Sequence, residues 1–201
     1  MNHHFFAMMH RMRYINRWSL MRNTQPENIQ EHSLQVAMIA HALVEIRQLY
    51  YADGRPAVDP AQVVLLAIYH DASEILTGDL PTPVKYANPA IRDAFKAVES
   101  VASDKLLSML PDDFLPAYKP LLEPDLTDPA TAEAEKIVKA ADRISAQIKC
   151  MDEEKAGNRE FRQAGEATKA SLVQVCRELP EAEWFCQNLL PSFSLSLDEL
   201  S

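Results

Sequence analysis

The chain has 201 residues, enough to bury a full hydrophobic core, and one domain spanning 1–201 is expected. Hydrophobic residues make up 47% and charged ones 24%, and no run approaches the roughly 20 apolar residues of a membrane span, so no membrane partner is expected. A net charge of −9 excludes the broad basic face a nucleic-acid polymer needs, but not a small anion, because a metal ion or one or two arginines reverse the field locally.

The opening Met1-Asn2-His3-His4-Phe5-Phe6 lacks the basic, apolar and small-residue segments of a signal peptide. Cys150, Cys176 and Cys186 are an odd set without Cys-x-x-Cys spacing, which fits a reducing cytoplasm better than a disulfide framework. Periodicity predicts a helix over about 2–14, a loop over 18–28, and helices near 29–50 and 60–77. Others follow near 89–110, 112–123, 129–156, 159–179 and 181–190, before an extended tail. Asn28 with Glu31, and Asp59 with Gln62, read as capping boxes. Asp59-Pro60, Asn88-Pro89 and Asp128-Pro129 each place a cap before a first-turn proline, while Gly54, Gly78 and Gly157 fall where helices stop or turn. Leu34–Val44 and Val63–Ile68 are apolar all round, the pattern of central, buried helices. Strand signals are nearly absent and no repeat is visible, so the fold class is all-α.

Four ionisable residues stand in these apolar helices: His32, the pair His70-Asp71, and Asp142. Two imidazoles and two carboxylates suit a divalent ion such as Mn²⁺, Co²⁺, Fe²⁺ or Zn²⁺. Each also has a bland explanation. His70 and Asp71, in the last third of the helix from Pro60, can satisfy one another; His32 can be a satisfied core histidine; Asp142 can pair with its neighbour Arg143. His3, His4 and His10 read as surface residues, and His41 as packing.

The joint order His…His-Asp…Asp resembles the HD-domain phosphohydrolase superfamily. Longer runs are similar to one branch, the bacterial 5′-deoxynucleotidases: Ile15-Asn16-Arg17-Trp18, Glu31-His32-Ser33, Tyr69-His70-Asp71-Ala72-Ser73-Glu74, Thr77 through Lys85, and Pro191-Ser192-Phe193. Ser19 stands where proline is usual and Gln147 where an aromatic is common, departures that bear on local packing. The resemblance implies a single-domain, HD-type helical bundle that hydrolyses phosphate esters with His32, His70, Asp71 and Asp142 on a metal. Two-metal members draw extra histidines from beyond the HD pair, whereas all six histidines here lie at or before position 70. One divalent metal ion per chain is therefore expected, Co²⁺, Mn²⁺ or another transition metal.

Glu74 lies four residues after His70 and three after Asp71, near their face, where a carboxylate can orient or deprotonate a water. Gly78 ends that helix, and Asp79 follows in a turn stiffened by Pro81 and Pro83. By resemblance, Asp79 and Thr82 contact the nucleotide, with proton donation to the leaving oxygen a role open to Asp79. Which of Glu74 and Asp79 is base and which is acid stays open. Arg17 offers a guanidinium to a phosphate and Trp18 a flat wall to a sugar or base; in the family this pair grips the 5′-phosphate and closes the space of a ribose 2′-hydroxyl.

The expected reaction is hydrolysis of deoxyribonucleoside 5′-monophosphates to deoxyribonucleoside and phosphate. The alternatives are another nucleotide (a triphosphate, a cyclic nucleotide or (p)ppGpp) and a non-catalytic helical protein that binds metal or nucleotide. Arg17, Arg22 and Lys85 are thin provision for three phosphates. The family, together with Trp184, Phe185, Leu189 and Leu190 near the C-terminus, suggests a homodimer, although those residues serve equally as intramolecular core.

Overall fold

Asn28 begins the first long helix as its sequence suggests: its side chain accepts from the Gln30 and Glu31 N–H groups, and Glu31 reaches back to the Asn28 N–H. This is α2, Ile29–Tyr50, in a computed structural model that describes residues 3–85 and 88–201, the side chains of Thr82 and Pro83 apart. Before it come α1, Phe5–Met9, and a 3₁₀ turn, His10–Tyr14, so the predicted 2–14 helix tightens midway and its first residue lies outside the described ones. An isolated antiparallel bridge between Asn16 and Asn28 closes the loop from 15 to 28 at the foot of α2.

Asp59 caps α3, Pro60–Tyr69, through the Ala61 N–H. Gln62 does not complete a capping box there; it reaches across to the Thr131 hydroxyl. The predicted 60–77 helix also breaks. His70 Nδ1 lies 2.7 Å from the Ala67 carbonyl, the acceptor a continuing helix would offer to the Asp71 N–H. The next N–H groups reach back only three residues, from Ala72 to Tyr69, Glu74 to Asp71 and Ile75 to Ala72, around the start of α4, Glu74–Thr77. His70-Asp71 therefore sits on a tightened turn just past a helix end. Gly78, at φ 75° and ψ 161°, turns the chain out of α4 in a conformation only glycine adopts readily. Its successor α5, Thr82–Lys85, is helical where a proline-stiffened turn was expected.

Further on lie α6, Pro89–Leu107; α7, Leu115–Leu122, preceded by a 3₁₀ turn; and α8, Pro129–Lys155, whose cap Asp128 accepts from Thr131 N–H. Then come α9, Arg162–Glu178, and α10, Pro180–Asn188. Short 3₁₀ turns at Leu190–Ser194 and Leu197–Glu199 replace the expected extended tail. The fold is an all-α bundle in which α2 and α8 lie side by side, with α3 across both, α9 on α8, and α10 on α2 and α9. Its main core joins Val36, Leu43, Val63, Leu66, Ile137, Ile144 and Phe185.

The two segments expected to be buried all round are not: Leu34 and Met38 are 58% and 60% exposed on α2, and Leu65 is exposed on α3. At the C-terminus, Phe185 is core, Trp184 stacks on Tyr50 and Leu190 packs against the core, while Leu189 is exposed. Gln147, the departure from an aromatic, accepts from the Thr168 hydroxyl on α9 at 2.6 Å. Among the described residues no helix is long and apolar enough to cross a membrane.

Candidate functional site

Three helices converge on one point. α2 supplies His32 from its first turn, the tightened turn after α3 supplies His70 and Asp71, and α8 supplies Asp142. His32 Nε2 lies 3.1 Å from Asp142 Oδ1 and 3.6 Å from Asp71 Oδ2, and His70 Nε2 lies 3.2 Å from Asp71 Oδ2. One ligand atom each from His32, His70 and Asp142 falls within 4.8 Å of the other two, a triad able to hold a metal ion. Ligands bonded at about 2.0–2.2 Å to one ion sit roughly 3–3.5 Å apart, so the spacing fits a single ion.

The tautomers point the same way. His70 Nδ1 faces the Ala67 carbonyl at 2.7 Å, so that nitrogen carries the proton and Nε2 offers a lone pair. His32 Nδ1 lies 3.0 Å from the Ser145 hydroxyl, whose one proton goes to Gln35 Oε1 at 2.5 Å. Ser145 therefore accepts from His32, and the His32 Nε2 lone pair is likewise left free. Both Nε2 atoms are buried without a hydrogen-bond partner, facing two carboxylates. Lone pairs turned toward anions in a buried place are satisfied by a proton or by a metal cation between them. Without a metal, a proton serves in part: burial acts to lower the His70 pKa, but Asp71 and Asp142 outweigh it and hold it at about 9. Burial acts to raise Asp71 and Asp142, yet His70, His32 and Arg17 hold both below the usual carboxylate range.

Arg17 is drawn into this cluster. Its Nε donates to Glu27 at 3.1 Å, and its two terminal nitrogens lie 3.4 Å from Asp71 and 3.9 Å from Asp142. Burial opposes its charge, but Asp71, Asp142, Glu27 and Asp79 together raise its pKa further. The alternative pairing of Asp142 with Arg143 does not form; Arg143 is exposed, while Asp142 turns inward to His32.

Glu74 is buried beside the ligands, and its Oε2 has no partner. Burial, then the charges of Asp71 and Asp79, push its carboxyl up to about 9 in the metal-free protein; a divalent cation nearby would pull it back down. Asp79 is not in the triad able to hold a metal: its Oδ2 accepts from the Trp18 N–H at 3.1 Å, and burial raises it. Trp18 itself has φ 56°, and its ring lies 5.4 Å from Phe161. Thr82 has its side chain outside the described residues. His41 is exposed beside Glu45, and His3, His4 and His10 are exposed as expected.

Sequence reasoning missed Gln35, Ser145 and Glu27. The first two had a signal: Gln35 lies three residues after His32 and Ser145 three after Asp142, each on its ligand's helix face. Glu27, in an irregular loop, had none.

A profile of the family described as 5′-deoxynucleotidase YfbR-like matches residues 4–193. A 5′-deoxynucleotidase of Vibrio parahaemolyticus is 48% identical over 198 residues, covering 98% of each chain. One from Erwinia tasmaniensis is 48% identical over 199 residues, covering 98% of this chain and 96% of its own. Among solved structures, an HD-domain phosphohydrolase from Listeria innocua is similar with a TM-score of 0.78 at 25% identity, covering 95% of this chain and 88% of that one. The fold is also similar to a cyanophage S-2L HD phosphohydrolase bound to dA and one catalytic Zn²⁺, with a TM-score of 0.57 at 20% identity over 92% of this chain and 96% of that one.

Proposed function

Because the chain belongs to the YfbR-like 5′-deoxynucleotidase family, we propose that residues 1–201 work as one HD-type hydrolase domain whose His32, His70, Asp71 and Asp142 hold one divalent metal ion. The enzyme is a metal-dependent 5′-deoxynucleotidase: water attacks the phosphorus of a deoxyribonucleoside 5′-monophosphate, the P–O5′ bond breaks, and deoxyribonucleoside and phosphate leave. The observation that carries the metal reading is the pair of buried, partnerless Nε2 atoms set opposite two carboxylates. Two nitrogen and two oxygen donors suit Co²⁺, Mn²⁺ or another transition metal. When bound, such an ion supplies Lewis acidity, acidifying water and drawing charge from a phosphate oxygen.

The remaining steps fall to the chain's own residues. Glu74, buried next to Asp71, takes the role of orienting the attacking water and accepting its proton. Arg17 offers the phosphate its guanidinium, already aimed into the site by Glu27. Trp18 closes off the 2′ side of the sugar. In this reading Asp79, which holds Trp18 through its backbone, protonates O5′, with Thr82 as a further substrate contact. Lys85 engages Glu99 at 2.7 Å and Arg22 lies near Glu160, which favours a monophosphate over a triphosphate.

Three free thiols fit a cytoplasmic enzyme. The reading includes a homodimer, supported by the exposed apolar Leu34, Met38 and Leu49 on α2; light scattering at the mass of one chain would remove that part.

Phosphate release from a panel of dNMPs and NMPs with Co²⁺, Mn²⁺ or Mg²⁺ tests the whole. No release from any monophosphate with any of these metals overturns it. Glu74→Gln is expected to bind Co²⁺ and lose about 10²–10⁴-fold in kcat, whereas a purely structural metal would leave no turnover to lose.

A further inference from the structure

We propose that Glu153 is a positioning residue for sugar selection, clamping the loop that presents Trp18 to the nucleotide. The inference rests on the sugar-reading role given to Trp18 above. Trp18 lies at φ 56°, in the left-handed region, where a bulky side chain stays only if its surroundings over-determine it. Local contacts do part of this. Its N–H donates to Asp79, and its carbonyl accepts from the Asn23 amide at 3.2 Å and the Met21 N–H at 2.9 Å. Its ring leans on the fully buried Phe161.

The rest of the constraint comes from the far end of α8. The Glu153 side chain is 1% exposed, and its two oxygens collect donors from the loop: the Thr24 N–H at 2.9 Å, the Thr24 hydroxyl at 2.7 Å and the Gln25 N–H at 3.3 Å. Lys149 at 2.5 Å and Asn158 at 2.8 Å complete the shell, and each reaches the loop a second time, at the Gln25 and Arg22 carbonyls. Lys149 also lies 5.4 Å over the Phe161 ring, so one cluster fixes both the loop and the wall behind the indole. A buried carboxylate is costly unless its lone pairs are filled, and here three of the five groups that fill them belong to Thr24 and Gln25.

Glu153 follows Asp142 by 11 residues, about three turns along the same face and roughly 16 Å away. It is therefore remote from the proposed metal and from the water that attacks. Its effect is on shape alone. A site rejects an added hydroxyl only weakly once its wall is loose, so freeing residues 22–25 lets the indole retreat and admits a ribose.

The experiment compares kcat/KM for dAMP and AMP with Co²⁺ in wild type, Glu153→Gln, Thr24→Val and Thr24→Ser, with Trp18→Ala as reference, and measures Co²⁺ affinity by calorimetry. Glu153→Gln and Thr24→Val are expected to lower the preference for dAMP by about 10-fold or more, mainly through KM. Thr24→Ser keeps the preference, and Co²⁺ affinity stays within about twofold of wild type in all of these. If Trp18→Ala loses the preference while Glu153→Gln and Thr24→Val keep it, the Glu153 inference is overturned and the Trp18 reading stands. If Trp18→Ala keeps the preference, both fall. Should Glu153→Gln not fold, Thr24→Val decides.

Discussion

Removing the Ser145 hydroxyl is expected to weaken metal binding without touching a ligand. Ser145 has one proton, given to Gln35, and accepts the His32 Nδ1 proton at 3.0 Å in a fully buried place. In Ser145→Ala that N–H has no acceptor, and an unmet buried donor costs about 1–3 kcal/mol. The ring escapes by moving its proton to Nε2, which faces Asp142 at 3.1 Å, but Nε2 then cannot ligate. Metal binding must reverse that choice, so the cost appears in affinity. At about 1.36 kcal/mol per decade, it corresponds to roughly 5- to 150-fold weaker binding, in the range seen for outer-shell partners of ligating histidines. Calorimetric titration with Co²⁺, beside thermal melts of the metal-free proteins, separates the two effects: affinity drops while stability changes by less than about 1 kcal/mol. Co²⁺ affinity within twofold of wild type would refute the argument that Ser145 selects the ligating tautomer.

Glu181→Ala removes the acid that Arg47 and Arg55 share in the core, where Glu181 has no exposed side chain. Glu133 stays 2.9 Å from Arg47 and 3.5 Å from Arg55, so part of the charge remains paired and the loss should cost about 1–3 kcal/mol, read as a lower melting temperature with Co²⁺ affinity unchanged. Glu153 has a pH signature: burial raises its carboxyl, but hydrogen bonds from Lys149, Asn158 and Thr24 outweigh this and depress it well below the usual range. A depressed folded value contributes stability that is complete above the unfolded pKa of about 4.3 and fades as pH falls toward the folded one. The gap in melting temperature between wild type and Glu153→Gln should thus narrow from about pH 5 downward, and a gap constant across that window contradicts the clamp. Metal should precede substrate, because Asp71 and Asp142 carry their charge at the place of an anion and Arg17 is already engaged with both. Calorimetry of dAMP with metal-free protein should therefore show no binding, and binding of equal strength with and without metal would disprove that order.

Helix starts were legible because capping is local: Asn28, Asp59, Asn88 and Asp128 all accept N–H groups from the turn they begin. The break at His70 was not, since the apolar run continues evenly to Ala72 and Ile75 and only the His70 ring on the Ala67 carbonyl interrupts it. Nor was the exposure of Leu34 and Met38, because an apolar helix does not say which side its neighbours leave uncovered.

The convergence of His32, His70, Asp71 and Asp142 was legible from their joint order, and one bland alternative had a physical answer in the sequence itself. Asp142 and Arg143 are adjacent on a helix, where neighbours point about 100° apart and do not face one another. Asp142 was thus free to turn inward, and Ser145, one turn on, shares that inward face. The clamp by Glu153 was beyond sequence reasoning of this kind, because Thr24 and Glu153 are 129 positions apart and neither carries a motif. The acidic balance of the chain follows the same division. It argues against a broad basic face, yet several of the acids behind it, Glu27, Asp71, Asp79 and Asp142, converge on one arginine and two imidazoles. On the proposed reading an anionic substrate would be recognised through the cation that these acids gather, so net charge alone cannot reveal it.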